Sequence, residues 1–396
     1  MTGLVPIFIL AHFSHHGIGA MLNPLMPMIR SDLGLNLTQS GLLMSAFTIT
    51  NGFAQLPAGW LADRVGARFM ILLAITGVAA AGFLVGFSST LLMLVPLLVL
   101  IALMGGGYHP AAATAISSSV PAAIRGRALG IHLIGGTSAF WIIPLIIAPI
   151  AATWGWRMPF KIIPIPVALL GILVFFLIGR QNRADAAKKA AGSATLEASK
   201  TPIDWSKLTP FMVMSVLVGA LMASTSSYLS FYAVDELNVP TTTIPLIVAI
   251  PAAMGLVMAP VGGYLSDKYG GLKIITLFGI AVVPLIYLMG QIPNVPALIA
   301  LMLVMGLVNN TRMPTTESYI VGNTPDNRRS TVLGIYFFAG AEIAGPLTPF
   351  VGNMIDRYGY QQTFTIAAVI AAVVTIICTL FIWQNARKPA EIDKRS

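Results

Sequence analysis

A charged turn between two long apolar runs, Gly59-Trp60-Leu61-Ala62-Asp63-Arg64-Val65-Gly66-Ala67-Arg68, returns 204 residues later as Gly263-Tyr264-Leu265-Ser266-Asp267-Lys268-Tyr269-Gly270-Gly271-Leu272-Lys273. Other pairs keep the same offset without a gap: Pro110 with Pro314, Pro121 with Pro325, Arg125 with Arg329, and Trp154-Gly155-Trp156 with Tyr358-Gly359-Tyr360. Leu129-Gly130-Ile131 likewise recurs as Leu333-Gly334-Ile335. A period this long, held in both the turns and the flanking runs, makes the chain two copies of one folding unit.

Composition decides what that unit can be. The 396 residues are 56% hydrophobic and only 9% charged, whereas roughly a quarter of a soluble globule is charged. Lipid offers no partners to bare backbone groups, so the apolar runs are predicted to be helices of about 20 residues spanning a membrane. The net charge of +9 does not indicate nucleic acid, because 18 of the 23 Lys and Arg fall in loops on one face of the predicted topology. The opposite loops hold only Arg30, Arg157, Lys161 and Arg357, and Arg312 sits inside an apolar segment. The positive-inside rule makes the crowded face cytoplasmic, with both termini on it. A single cysteine, Cys378, excludes an intrachain disulfide and a cysteine metal site. The N-terminus has no basic stretch before its apolar run, which is too long for a signal peptide, so it reads as a retained first helix.

The repeated turn resembles the loop signature of the major facilitator superfamily, G-x-x-x-D-R-x-G-R-R/K. Gly59, Asp63, Arg64, Gly66 and Arg68 match, while Ala67 does not, and the second copy has Lys268 for Arg and Gly271-Leu272 before Lys273. The resemblance implies an all-α membrane protein of twelve transmembrane helices in two pseudo-symmetric six-helix halves, working by alternating access without cofactors. The predicted organisation is a first bundle over 1–179, a cytoplasmic linker over 180–207, a second bundle over 208–385 and a tail over 386–396. The first helix is placed near Leu4 to Ile29, the second near Gln39 to Ala62 and the fourth near Leu91 to Ser118, bent at Pro110. The fifth and sixth follow Arg125 and Arg157. The second half is placed at 208–234, 241–266, 271–291, 294–321, 327–354 and 359–385.

The halves diverge where polar groups enter the membrane: Tyr108-His109 becomes Arg312-Met313, and Ser138 becomes Glu342. Such divergence suits a site between the repeats. Charge inside a span is costly, which makes Arg312, Glu317 and Glu342 functional candidates. Counting from the cytoplasmic ends, Arg312 lies roughly 14 Å deep and Glu342 roughly 22 Å. Asn309, Arg312, Thr316 and Tyr319 share one helical face. A guanidinium forks onto carboxylate or phosphonate oxygens, so Arg312 is the expected substrate contact, with Asn309, Thr316, Tyr108, His109 and His16 around it. The rival role for Arg312 is a structural pair with Glu342 or Glu317.

Glu342 is the candidate proton carrier, together with His12 and His16, which stand one turn apart on the first helix; His15 points about 100° away from them. His109 and His132 each read as a hydrogen-bonded interior residue, His109 set apart by its place beside Pro110. No carboxylate or cysteine cluster accompanies His12 and His16, so no metal is expected. Asp63, Arg64, Arg68, Asp267 and Glu317 are the expected cytoplasmic gate, where charges at helix ends can latch and release.

The motifs Leu10-Ala11-His12-Phe13-Ser14-His15-His16 and Gly105-Gly106-Gly107-Tyr108-His109-Pro110 are similar to those of the fosmidomycin-resistance group of drug efflux proteins. That group has an acid where His16 stands. Drug/proton antiporters also carry a basic residue before the position of Gly105 and a Gly-Pro pair on the fifth helix. Here the pair appears as Gly345-Pro346 on the eleventh. The sequence therefore reads as a proton-coupled secondary transporter of a small organic anion, monomeric in an inner (plasma) membrane, with proton-driven multidrug efflux as the alternative. No spacing of catalytic groups supports an enzyme.

Overall fold

The computed structural model describes residues 4–119, 125–189, 203, 205–325 and 329–387. Those residues are almost wholly helical, and the repeat is visible in the backbone. Gly66 and Gly270, 204 residues apart, have φ of 86° and 87°, and Gly155 and Gly359 have φ of 79° and 77°. Each breaks the chain between consecutive helices in a conformation that a side chain would strain, so the matched glycines set matched corners in the two halves.

The first half comprises α1 (Leu4–Leu33), α2 (Leu37–Val65), α3 (Ala67–Val85), α4 (Leu91–Gly105), α5 (Tyr108–Ser119), α6 (Arg125–Trp154), α7 (Arg157–Ile162) and α8 (Pro164–Lys189). The second comprises α9 (Trp205–Ser226), α10 (Leu229–Asp235), α11 (Ile244–Tyr269), α12 (Gly271–Met289), α13 (Val295–Gly322) and α14 (Arg329–Arg387), the last divided at Gly359. Taking α4 with α5, α7 with α8 and α9 with α10 as single crossings, and α14 as two, the described residues make twelve transmembrane segments, six in each half. Among them, seven stretches pass as spans on length and apolarity alone.

Helix starts follow local chemistry. The Asn36 side chain accepts from Gln39 N while Gln39 reaches back to Asn36 N, a capping box that opens α2. Thr90 and Asn294 cap α4 and α13 singly, their side chains accepting from Met93 N and Ala297 N. Two boundaries differ from the sequence expectation. The fourth span is interrupted at Gly106-Gly107, ahead of the proline, where α2 and α3 lie against it: a Cβ on Gly106 would stand 2.5 Å from the Ala54 Cβ, and one on Gly107 would strike the Met70 methyl group. The seventh span is likewise interrupted at Ser227-Tyr228. The helix preceding the expected linker continues to Lys189, and most of the linker and all of the tail beyond Arg387 lie outside the described residues.

Large apolar side chains such as Leu92, Leu169, Phe176, Val257 and Leu277 point outward, as a bilayer requires. Across the halves, α2 packs on α14 and α6 on α11. Glycine permits close approach: a Cβ on Gly352 would meet Tyr228 and the Leu37 backbone, and one on Gly345 would strike Ile49.

Candidate functional site

The first half gathers every histidine of the chain, five in all, around Tyr108. Helical spacing puts His12 and His16 on one face of α1, with ring centroids 4.8 Å apart. Gly135 and Gly136 on α6 bring that helix onto α1, since a Cβ on Gly135 would collide with the Ile9 carbonyl and one on Gly136 would stand 2.7 Å from His12 Nε2. His132 then stacks on His12 at 4.2 Å. Just past the interruption at Gly106-Gly107, at the start of α5, Tyr108 stacks on His15 at 4.3 Å and His109 sits edge-on to His12 at 5.3 Å. His15, although on another face of α1 from His12, meets the cluster through Tyr108 and lies 4.7 Å from His16. His109 and His132, far apart in the sequence, are thereby brought into one cluster.

Hydrogen bonding fixes part of this cluster. His12 Nδ1 donates to the His132 carbonyl at 3.0 Å, and Tyr108 donates to the Phe8 carbonyl at 3.4 Å with His132 Nε2 3.3 Å away. His12 Nε2 and His15 Nδ1 are buried with no hydrogen-bond partner. His16 and His109 keep partial exposure, whereas Tyr108, His12, His15 and His132 are buried.

In the second half Arg312 lies along α9, where Gly219 leaves room for it: a Cβ there would stand 3.1 Å from the guanidinium carbon. Its Nη1 donates to Tyr336 Oη at 2.6 Å and Ser215 Oγ at 3.3 Å, and its guanidinium carbon is 5.6 Å from the Phe278 ring centroid. The Ser215 hydroxyl is also 3.0 Å from both Thr316 and Tyr336, and Thr316 donates to the Arg312 carbonyl at 3.0 Å. The positive charge is therefore held by hydroxyls. The ion pairs found among the described residues are Arg30–Asp235 and Arg157–Asp32, so Arg312 has no carboxylate within 4.0 Å there.

Thr316 is fully buried one turn from Arg312, Tyr319 stacks on Phe211 at 4.1 Å, and Asn309 is exposed one turn to the other side. Glu317 is half-buried. Glu342 meets the first half: a Cβ on Gly52 would stand 2.6 Å from Glu342 Oε1, a buried oxygen without a partner. The helical rise puts Arg312, His12 and His16 at comparable depths, about 12–18 Å from the ends of their helices nearest the basic loops.

Of the expected gate, Arg68 turns back into its own half, donating to the Phe175 carbonyl at 2.8 Å with its guanidinium 3.7 Å over the Phe175 ring. Arg64 is exposed, and the side chains of Asp63 and Asp267 lie outside the described residues. The described polar contacts between the halves gather at the other end. Arg30 of α1 holds Asp235 of α10 through both carboxylate oxygens at 2.8 and 2.6 Å. Asp356 of α14 accepts from Leu37 N (3.2 Å), Thr38 N (2.8 Å) and the Thr38 hydroxyl (2.6 Å) at the start of α2. Tyr228 donates to the Leu37 carbonyl at 3.3 Å and the Thr348 carbonyl at 2.8 Å. The molecule is closed at the end away from the basic loops. Sequence reasoning missed this clasp, as it missed Ser215, Tyr336 and His15; the signal available was the scarcity of charge, which makes each acid in an arginine-poor loop worth pairing.

Comparisons with known proteins agree with this architecture. A family model described as Major Facilitator Superfamily matches residues 8–349 and 274–396. "Multidrug resistance protein MdtG" of Klebsiella pneumoniae (strain 342) is 25% identical over 389 residues, covering 95% of this chain and 93% of that protein. Its namesake in Proteus mirabilis (strain HI4320) is 27% identical over 382 residues, covering 93% of this chain and 92% of that one. Among solved structures, a POT family transporter in complex with 5-aminolevulinic acid superposes with a TM-score of 0.82 at 15% identity, covering 97% of this chain and 96% of that one. A bacterial homolog of the human lysosomal transporter Spinster, inward-facing and occupied, gives 0.72 at 16% identity, covering 97% and 95%.

Proposed function

The chain belongs to the major facilitator superfamily, and from that premise we propose that it is an inner-membrane exporter that expels small amphipathic organic molecules in exchange for protons. The relatives named for multidrug resistance, similar over nearly their whole length, support the export reading. The observation that carries the coupling is Glu342, a carboxyl with an unpartnered buried oxygen pressed against Gly52 where the two halves meet. A group that gains and loses a proton at that seam changes the charge the seam must bury, and so biases which packing of the halves prevails. The histidine face of α1 is the second proton-handling element, and the positive-inside rule assigns the basic side of this exporter to the cytoplasm.

A second reading, transport of a small organic anion, is favoured by Arg312. Its charge is held by Tyr336 and Ser215 with no carboxylate within 4.0 Å among the described residues, so an anion would supply the missing countercharge. Thr316 and Ser215 position the guanidinium, and Asn309, Tyr108, His109 and His16 complete the polar surroundings. Thermal-shift measurements on purified protein against hydrophobic cations, neutral drugs, carboxylates and phosphonates separate the two readings, since a ligand of the folded state raises its apparent stability. The export reading expects shifts across chemically diverse amphipaths that persist in Arg312→Ala. Shifts confined to anions and lost in both Arg312→Ala and Arg312→Lys would replace it with the second reading. Growth protection of a sensitive host tests the direction of transport.

A further inference from the structure

Three histidine side chains, from two helices that the sequence separates by some ninety residues, converge within the first half. One nitrogen from each of His12, His16 and His109 can be chosen so that all lie within 4.8 Å of one another. His12 and His16 supply two ligands on one face of α1, and His109 at the start of α5 adds the third.

The hydrogen bond at His12 determines what its other nitrogen offers. With Nδ1–H donating to the His132 carbonyl at 3.0 Å, the neutral ring carries its lone pair on Nε2. That nitrogen is buried and unpartnered in a side chain of 3% exposure. A buried acceptor without a donor is costly. A carbonyl behind the far nitrogen of a histidine is also how metal-ligating imidazoles are oriented and made more basic. We propose that His12, His16 and His109 form a binding site for a divalent transition-metal ion of the Zn2+ class. Three neutral imidazoles with one open position match the ligand set that such ions accept. His132 is the positioning residue through its backbone, and the partial exposure of His16 and His109 provides the way in.

An ion about 2.0–2.1 Å from each nitrogen in a tetrahedral arrangement sets them about 3.4 Å apart. The widest separation here therefore closes by somewhat over 1 Å on binding, within the reach of small side-chain rotations. A bound ion would tie α1 to α5 across the interrupted fourth span. Its fourth position would remain for water or an anionic ligand. The site lies in one half and does not involve Arg312 or Glu342; with an ion bound, His12, His16 and His109 hold it in place of the proton-handling and lining roles given above, and coupling rests on Glu342.

The test is equilibrium binding of Zn2+ alone to the purified full chain with any purification tag removed, read by calorimetry and metal content. One ion per chain is expected, with affinity reduced at least tenfold in His16→Ala and in His109→Ala and unchanged in Glu342→Gln. Co2+ substituted into the parent chain is expected to show the intense visible absorption of a four-coordinate site, and X-ray absorption to count three imidazole nitrogens. This second measurement decides the matter where an alanine variant does not fold. Absence of stoichiometric Zn2+, binding untouched by both histidine substitutions, or Co2+ remaining weakly absorbing and six-coordinate would each overturn the proposal.

Discussion

Asp356 offers a direct way to move the molecule between its two states. Its carboxylate, on α14, accepts three hydrogen bonds from the first turn of α2 in the other half. It also sits at the positive end of that helix dipole. A hydrogen bond to a charged group contributes about 1.5–3 kcal/mol when shielded, but Asp356 is exposed, so screening reduces each contact to about 0.5–1 kcal/mol. The three together amount to about 2 kcal/mol, and at 1.4 kcal/mol per decade their loss shifts the equilibrium between closed and open ends by roughly 30-fold. An open form populated at about 1% would rise to about a quarter. The α2 helix itself should persist, because the Asn36–Gln39 capping box is untouched. Spin labels on Ser89→Cys and Pro293→Cys, both at exposed positions near the closed end, in a Cys378→Ser background, would report the distance between the halves. Asp356→Ala is expected to add a longer-distance population, Thr38→Ala a smaller one. A distance distribution for Asp356→Ala that superimposes on the parent's would refute the reasoning.

Further outcomes follow from the same geometry. Asp235→Ala should open the closed end more than Arg30→Ala, because Asp235 also accepts from Tyr360 at 2.7 Å; a reversed order of spin-label populations would contradict this. Gly135→Ala should lower thermal stability by about 1–3 kcal/mol or more through overpacking against α1. Gly340→Ala, whose Cβ would meet nothing within 4 Å, should be neutral or stabilising by about 0.5–1 kcal/mol; equal melting temperatures for the two variants would count against the packing. At the loop-side end of α1, burial pushes the Asp32 carboxyl up, but hydrogen bonds from Arg157 and Trp156 and the Arg157 charge hold it below its ordinary value of 3.8. A carboxyl with a depressed pKa contributes stability above that ordinary value and loses it as pH falls through the folded value. The melting temperature of the parent should therefore fall more steeply than that of Asp32→Asn on acidification below about pH 4, and parallel curves would exclude the contribution.

The bundle was legible in the sequence because membrane insertion leaves so few alternatives. The offset joining Gly66 to Gly270 and Gly155 to Gly359 predicted corners that share nearly the same φ. The position of Arg312 and Glu342 within spans was legible too, since charges in apolar runs stand out. Their partners were not. Tyr336 and Ser215 are ordinary in sequence and lie 24 and 97 residues from Arg312, so only packing reveals that hydroxyls hold the guanidinium. The histidine cluster escaped notice for a related reason: helical periodicity relates His12 to His16 but cannot register α1 against α5 and α6. For Arg68 a loop signature suggests an ion pair, and the described contacts that meet it are a carbonyl and an aromatic face.

Proteoliposome transport under an imposed proton gradient tests the central claim most directly, with Glu342→Gln beside the parent chain and a ligand identified by thermal shift. The parent should accumulate or expel that ligand against its gradient, and Glu342→Gln should lose the gradient-driven flux while retaining exchange of ligand across the membrane. Gradient-driven transport undiminished in Glu342→Gln would contradict the account and remove the carboxyl at the seam from the coupling step.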